Sequence, residues 1–112
     1  MKVQFTDEQV GLIRAALEQW GIEAQIGKTV EECAELIVAL QKYVNRSPQP
    51  GTVDGILDEI ADVEMMLAQM RYILGISDDD LHQRIKSKFE MFSGYLYNEE
   101  KPVSKAPGGN GK

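Results

Sequence analysis

Apolar residues recur every three to four positions over four stretches of the chain, and no stretch alternates in the way of a half-buried strand. The four stretches span about residues 6–20, 23–44, 53–74 and 77–97. We therefore predict an all-α protein, a four-helix bundle built round two long central helices. We predict that residues 1–97 form one domain. Residues 98–112 turn to Lys, Pro, Gly and Ser, a composition typical of a disordered tail.

Local signals mark the ends of these helices. Thr6 is a good N-cap, and Gln9 stands three residues later, at the spacing of a capping box. Gly21 is a natural stop for the first helix. Residues 45–51 contain two prolines and a glycine, so this segment is predicted to be a loop. Ser77 is predicted to be the N-cap of the fourth helix.

The third predicted helix carries apolar side chains over more than half of its circumference. Its main apolar stripe consists of Ile56, Ile60, Val63, Leu67, Met70 and Leu74, and further apolar residues flank it. A small bundle with one core does not need this coverage, which predicts self-association through the two central helices, as a homo-dimer or homo-tetramer. The alternative is that the Met-rich flanks pack under loops and terminal segments.

Composition narrows the possible functions. The chain has 112 residues and a formal net charge of −6, with 43% hydrophobic and 27% charged residues, which is ordinary globular composition. The acidic balance argues against nucleic acids and anionic membranes as partners. Cys33 is the single cysteine, so neither an intramolecular disulfide nor a multi-cysteine zinc site is possible. No apolar run is long enough to span a bilayer and no signal peptide is evident, so we expect a cytoplasmic protein.

Two pairs of carboxylates stand on the central helices. Glu32 and Glu35 lie one turn apart on the second predicted helix, and Glu59 and Asp62 lie one turn apart on the third. Four carboxylates on adjacent helices repel one another unless a cation neutralises them. Oxygen ligands favour a hard ion, so the cluster predicts Mg²⁺, with Mn²⁺ as a substitute.

Solvated surface charge is the alternative for the pair on the second helix. Glu32 and Glu35 fall with Lys28 on the side away from the apolar stripe of that helix. Glu59 is more informative, because it lies close to the apolar stripe of the third helix, where a carboxylate is costly to bury without a partner or a metal. A di-metal redox bundle is disfavoured, since His82, the single histidine, lies outside both acidic pairs.

The acidic residues also form a joint motif. The order is E-E-x-x-E at residues 31–35, an interval of residues 36–58, and then E-x-x-D at residues 59–62. Over residues 20–92 the chain resembles the MazG-like nucleotide pyrophosphohydrolases of the all-α NTP pyrophosphatase superfamily. It lacks the second domain of the tandem MazG proteins, so it is similar to the short single-domain members.

The resemblance implies cleavage of a nucleoside triphosphate between its α and β phosphates, which releases a monophosphate and pyrophosphate. It implies Mg²⁺ held by Glu32, Glu35, Glu59 and Asp62. The fifth catalytic candidate is Glu31, which could orient a water molecule, support the metal ligands or simply be solvated.

Residues that bind the substrate are predicted from the same resemblance. Lys28 lies one turn before Glu32, and Lys86 and Lys88 fall in the basic stretch after the third helix, so all three are candidates for phosphate contacts. Ordinary surface lysines are the alternative. Trp20 and Gln25 lie where relatives form the base pocket, although Trp20 is equally consistent with a core position and Gln25 with a solvated one.

Other specificities and another class of protein remain as alternatives. Within the resembling superfamily, the substrate could be that of a dUTPase-like, dCTPase-like or phosphoribosyl-ATP pyrophosphohydrolase. The alternative from another class is a non-catalytic helical interaction module. The complete acidic set counts against such a module, because a degenerate copy would be free to lose ligands.

Overall fold

A computed structural model describes residues 5–46 and 49–98 of the chain. These residues form three helices, α1 (Asp7–Asn45), α2 (Thr52–Leu74) and α3 (Asp78–Tyr97), and include no strand. The predicted all-α class is therefore confirmed over the described ranges. Most of the predicted disordered tail, residues 99–112, lies outside them.

The first two predicted helices are numbered together as α1, and the helical backbone breaks between them at Gly21. Gly21 has φ 88° and ψ 166°, which interrupts the helical backbone inside α1 without ending it. Only glycine adopts this backbone region readily, because a Cβ would clash with the neighbouring peptide groups. The break lies at the residue that the sequence marks as a stop, but the described chain has three helices where four were predicted.

The ends of the helices follow the predicted local chemistry. The Thr6 side chain accepts a hydrogen bond from the Gln9 amide at 3.1 Å, and the Gln9 side chain accepts one from the Thr6 amide at 2.8 Å, which completes the capping box. Ser77 Oγ accepts from the Asp80 amide at 3.0 Å. Gly75 ends α2 in the left-handed conformation.

The described part of the chain divides into two compact units, one ending at Gly75 and the other beginning at Ile76. In the first unit α1 and α2 pack against each other as an antiparallel hairpin. Arg14 near the start of α1 donates from Nε to the hydroxyl of Tyr72 near the end of α2, at 2.9 Å. The guanidinium carbon also lies 5.7 Å from the centroid of the Tyr72 ring.

The interior of this hairpin is unusually polar. Its buried polar side chains are Gln25, Thr29, Glu32 and Gln69, whereas its buried apolar ones are Ile13, Met66 and Ala68. The apolar stripe predicted along residues 23–44 is largely exposed, including Val30 and Ile37. The face with Glu32, predicted to point away from the stripe, is the buried one. The α1–α2 contact in one chain therefore leaves most of the apolar stripe of α1 uncovered.

The second unit contains α3, and none of its residues is buried. Its first turn holds three aspartates, at residues 78–80, where negative charge suits the positive end of the helix dipole. Phe89, Phe92 and Tyr97 are among its exposed aromatic side chains. Along the described ranges, no helix combines the length and hydropathy needed to cross a bilayer.

Candidate functional site

Three of the four predicted metal ligands converge between α1 and α2. Glu32 projects from α1, and Glu59 and Asp62 project from one side of α2. Each side chain offers one ligand oxygen, and the three oxygens lie within 4.8 Å of one another. The i, i+3 spacing of Glu59 and Asp62 places both carboxylates over one turn of α2, which is why one residue of α1 meets both.

Burial makes this cluster different from ordinary surface charge. The Glu32 residue is only 8% exposed, and Glu59 and Asp62 are half-buried. The Oε1 atoms of Glu32 and Glu59 are both buried, and neither has a hydrogen-bond partner among the described residues. Burying a carboxylate oxygen without a hydrogen-bond donor is unfavourable in free energy, because the oxygen loses its hydration and forms no hydrogen bond in the protein. A hard cation with oxygen ligands would satisfy both atoms.

Lys28 supplies part of the missing positive charge. Its ammonium group lies 3.1 Å from Glu32 Oε2 and 3.4 Å from Glu31 Oε1. The hydrogen bond to Glu32, together with the charge of Glu31, raises the pKa of Lys28. Lys28 therefore occupies the second oxygen of Glu32 and leaves the buried Oε1 atom to another partner. Glu31 itself is exposed and pairs with Lys28 rather than joining the three clustered carboxylates.

Glu35, the fourth predicted ligand, is exposed on α1 next to the cluster. The negative charge of Glu32 raises the pKa of Glu35, and desolvation and the charge of Glu59 act in the same direction. The raised pKa of Glu35 therefore results largely from electrostatic repulsion by the clustered carboxylates. Its side chain lies outside the tight group of three oxygens.

Trp20, Gln25, Lys86 and Lys88 are the remaining predicted site residues. Trp20 is 61% exposed, next to the break in α1. Gln25 is buried, and its backbone carbonyl accepts a hydrogen bond from Thr29 Oγ1 at 2.9 Å. Lys86 and Lys88 are exposed on α3, in the second unit.

A cleft of about 590 Å³ adjoins the cluster, between the second half of α1 and the start of α2. Glu31, Glu35 and Glu59 line its acidic end, which continues the carboxylate site. Lys42 and Arg46 also line it, and neither was predicted as a site residue. Lys42 lies seven residues after Glu35, which keeps both on one side of α1, so the sequence contained a signal for Lys42. Arg46 is the C-cap of α1, with extended backbone, and helical spacing does not place it.

The fold and the site together define a class: a helical hairpin with a partly buried carboxylate cluster suited to a hard cation. No protein-family model, curated protein or solved structure matches the chain. The functional assignment therefore depends on the chemistry of the site and on the motif spacing.

Proposed function

We propose that this protein is a MazG-like, Mg²⁺-dependent nucleoside triphosphate pyrophosphohydrolase that serves in nucleotide-pool house-cleaning. The observation that carries the proposal is the meeting of Glu32, Glu59 and Asp62, whose ligand oxygens lie within 4.8 Å of one another. The two unpartnered buried oxygens in the same cluster support a cation there rather than solvated charge.

An acidic site can serve a polyanionic substrate only through cations. Glu32, Glu59 and Asp62 would hold Mg²⁺, with Glu35 as the fourth ligand. When bound, the ion supplies charge screening for the phosphates and lowers the pKa of an attacking water. These requirements match hydrolysis of a phosphoric anhydride, and the resemblance to the MazG-like pyrophosphohydrolases implies cleavage between the α and β phosphates.

The other charged residues of the site have roles that follow from their contacts. Lys28 lies within 3.4 Å of two carboxylates, so it is placed to hold Glu32 in position and to offer its remaining donors to a phosphate oxygen. Glu31 is exposed and paired with Lys28, so it is suited to orienting this lysine or an incoming water. Glu35 is exposed next to the cluster and lines the cleft, so its carboxylate is placed to complete the ligand set of the metal.

Assembly is the second part of the proposal. We propose that the central segments of α1 and α2 associate with other copies of the chain, as a dimer or a tetramer, and complete the four-helix arrangement between subunits. The exposed apolar stripe of α1, which includes Val30 at 63% and Ile37 at 59%, supports this arrangement. Burying that stripe against a second copy would provide the apolar core that the polar hairpin interior does not provide.

The test is incubation of the protein and Mg²⁺ with a panel of ribo- and deoxyribonucleoside triphosphates and phosphoribosyl-ATP. We expect monophosphate and pyrophosphate in equal amounts, for at least one base. Release of orthophosphate and a diphosphate would identify another reaction. No turnover of any nucleotide, including the dUTP, dCTP and phosphoribosyl-ATP arms of the panel, would favour the non-catalytic helical module.

A further inference from the structure

The exposed apolar stripe of α1 has the spacing of a helix-packing seam. Its side chains recur in alternating steps of four and three residues, which is the heptad pattern of helices that pack along their length. They are Ile26, Val30, Cys33, Ile37, Leu40 and Val44. Because α2 packs against the side of α1 that holds Thr29 and Glu32, it leaves most of this seam exposed.

α2 carries the same pattern on an uncovered side of its own. The steps again alternate between three and four residues, through Val53, Ile56, Ile60, Val63 and Leu67. Val53 is 66% exposed, Ile60 42% and Leu67 41%. The hairpin therefore presents two uncovered seams, one on each helix, and both belong to the first unit.

The two seams are in register with each other. Glu32 on α1 is level with Glu59 and Asp62 on α2, because their oxygens meet. Cys33 follows Glu32, and Ile60 lies between the two acids of α2, so Cys33 and Ile60 are also level. Since the helices are antiparallel and their steps match, five seam residues of α1 each share a height with one of α2. The pairs are Ile26 with Leu67, Val30 with Val63, Cys33 with Ile60, Ile37 with Ile56, and Leu40 with Val53.

We propose that a second copy of the chain covers both seams, related to the first by a two-fold axis parallel to the helices, so that α1 of each copy packs antiparallel against α2 of the other. An axis in this direction keeps every residue at its own height, so the five level pairs meet between the copies. The proposal rests on the assembly in the proposed function and assigns the face that each helix meets. The two α1 helices then lie diagonally opposite each other.

Charged residues at the end of the seams agree with this arrangement. Glu23 occupies the seam position before Ile26, and it is level with Met70, next to Arg71. Within residues 5–46 and 49–98, neither Glu23 nor Arg71 forms an ion pair. In the proposed arrangement each Glu23 lies beside the partner's Arg71, so opposite charges close both seams.

The seams are large enough for a stable interface. Fully burying a Val, Leu or Ile side chain removes roughly 100 Å² of apolar surface from water. The five layers at each of two seams remove roughly 800 Å² in all, since their side chains are already partly covered. These side chains alone therefore supply most of the about 1,000 Å² that a specific interface needs.

Disulfide formation through Cys33, the single cysteine, tests the arrangement. On mild oxidation, Ile60→Cys should form a covalent dimer with Cys33 of the second copy, seen on a denaturing gel without reductant. The wild type should not, because its two Cys33 residues lie on diagonal helices. Ile37→Cys is the matched control, since residue 37 would meet Cys33 only if the two α1 helices packed antiparallel against each other. A covalent dimer of Ile37→Cys, or none of Ile60→Cys, overturns the proposal.

A charge pair across the seam is the second test. Ile26→Glu and Leu67→Lys change positions that are each 41% exposed, so neither disturbs the interior of the hairpin. Each alone should weaken association about tenfold or more in sedimentation, and the double variant should restore most of it. Ile26→Glu with Leu74→Lys, one heptad further along α2, should stay dissociated. Equal association of the two double variants contradicts the register.

The arrangement, the assembly and the reaction fail separately. A wild type that sediments as a monomer contradicts both the assembly and the arrangement. A stable oligomer in which Ile60→Cys forms no covalent dimer contradicts the arrangement alone. Hydrolysis of triphosphates is a separate readout, because Glu32, Glu59 and Asp62 converge within one chain.

Discussion

Glu59 is the residue at which the metal hypothesis is most sharply tested. The Glu59→Gln variant keeps the size of the side chain but removes one charge from the cluster of three carboxylates. We expect turnover with Mg²⁺ to fall by roughly two orders of magnitude or more, because a ligand is lost. Without metal the variant should be more stable than the wild type, since repulsion within the cluster is reduced. Steady-state kinetics and denaturant unfolding in EDTA measure the two effects.

Glu64→Gln is the matched control for this experiment. It makes the same chemical change on α2, five residues further on, at an exposed position outside the cluster. Activity and metal-free stability should both stay near the wild-type values. Retained turnover in Glu59→Gln, or equal losses in both variants, would remove Glu59 from the site.

Glu35 gives the stability of the metal-free protein a predictable dependence on pH. Its folded-state pKa is raised above the ordinary value of 4.5, chiefly by the charge of Glu32, so ionised Glu35 destabilises the fold. That penalty is present above the raised pKa and disappears as the pH falls through it to below 4.5. In EDTA, Glu35→Gln should therefore be more stable than the wild type at pH 7, and the difference should shrink toward pH 4.

Thermal melts at several pH values measure that difference. Mg²⁺ should reduce it at neutral pH, because a cation in the cluster offsets the repulsion acting on Glu35. A difference that stays constant with pH would mean that Glu35 does not interact with the cluster.

At the residue scale, the sequence predicted the pairing of acids within each helix and the position of Glu59 beside apolar side chains, but not the burial of Glu32. Spacing alone placed Glu59 and Asp62 on one side of a turn. Glu32 was grouped with solvated charges because the apolar stripe of its helix lies elsewhere, and in the structure that stripe is the exposed face. Periodicity shows which residues share a face, but not which face meets a partner within the chain.

At the scale of the helix, Gly21 and Gly11 give opposite predictions for the same substitution. Gly21→Ala should destabilise the protein by about 1–3 kcal/mol, because φ 88° and ψ 166° are unfavourable for any residue with a Cβ. Gly11 is exposed inside α1, and a Cβ there would meet no atom within 4 Å. Gly11→Ala should stabilise by about 0.5–1 kcal/mol through helix propensity.

Denaturant unfolding of the two variants tests this contrast. If both substitutions stabilise the protein, α1 is continuous through residue 21. If both destabilise it, the effect reflects glycine-to-alanine changes in α1 generally and not the break.

The helix ends and the position of the break at Gly21 were largely predictable. Thr6, Ser77 and Gly75 act through contacts within a few residues, which a sequence displays directly. Gly21 was predicted as a stop because glycine commonly ends helices. How the chain resumes after Gly21 depends on packing along α2, which is a long-range property that local signals do not contain.

For the whole molecule, Mg²⁺ that binds the folded protein but not the unfolded chain must raise the free energy of unfolding. When free Mg²⁺ is about 100 times its Kd, binding contributes roughly 2.7 kcal/mol, which raises the melting temperature by several degrees. We expect this rise with Mg²⁺ but not with NaCl at matched ionic strength. A non-hydrolysable triphosphate should increase it, because the nucleotide supplies further ligands.

The double variant Glu35→Gln with Asp62→Asn is the control for that measurement. It should lose the specific response to Mg²⁺ while it keeps the small general effect of salt. If wild type and double variant respond alike to both salts, and alike with the triphosphate, the carboxylates do not form the proposed site.

Self-association is the second prediction for the whole molecule. The wild type should sediment as a dimer or larger at micromolar concentration, because the apolar stripe of α1 would otherwise stay in water. Ile37→Glu, which places a charge at a 59% exposed position of that stripe, should shift the protein toward monomer. Gln19→Glu adds the same charge before the break in α1 and should leave the assembly intact. A stable wild-type monomer would contradict the prediction.

The polar interior of the hairpin has a calorimetric consequence. The heat-capacity change of unfolding rises with the apolar surface that becomes hydrated and falls with the polar surface, and it averages about 12–15 cal/mol/K per residue in globular proteins. The heat-capacity change of a single hairpin must fall well below that average, because its buried side chains include Gln25, Thr29, Glu32 and Gln69. In an assembly that covers the apolar stripe of α1, the heat-capacity change per residue would approach the average for globular proteins. The curvature of the free energy of unfolding plotted against temperature thus measures how much apolar surface is buried between chains rather than within one chain.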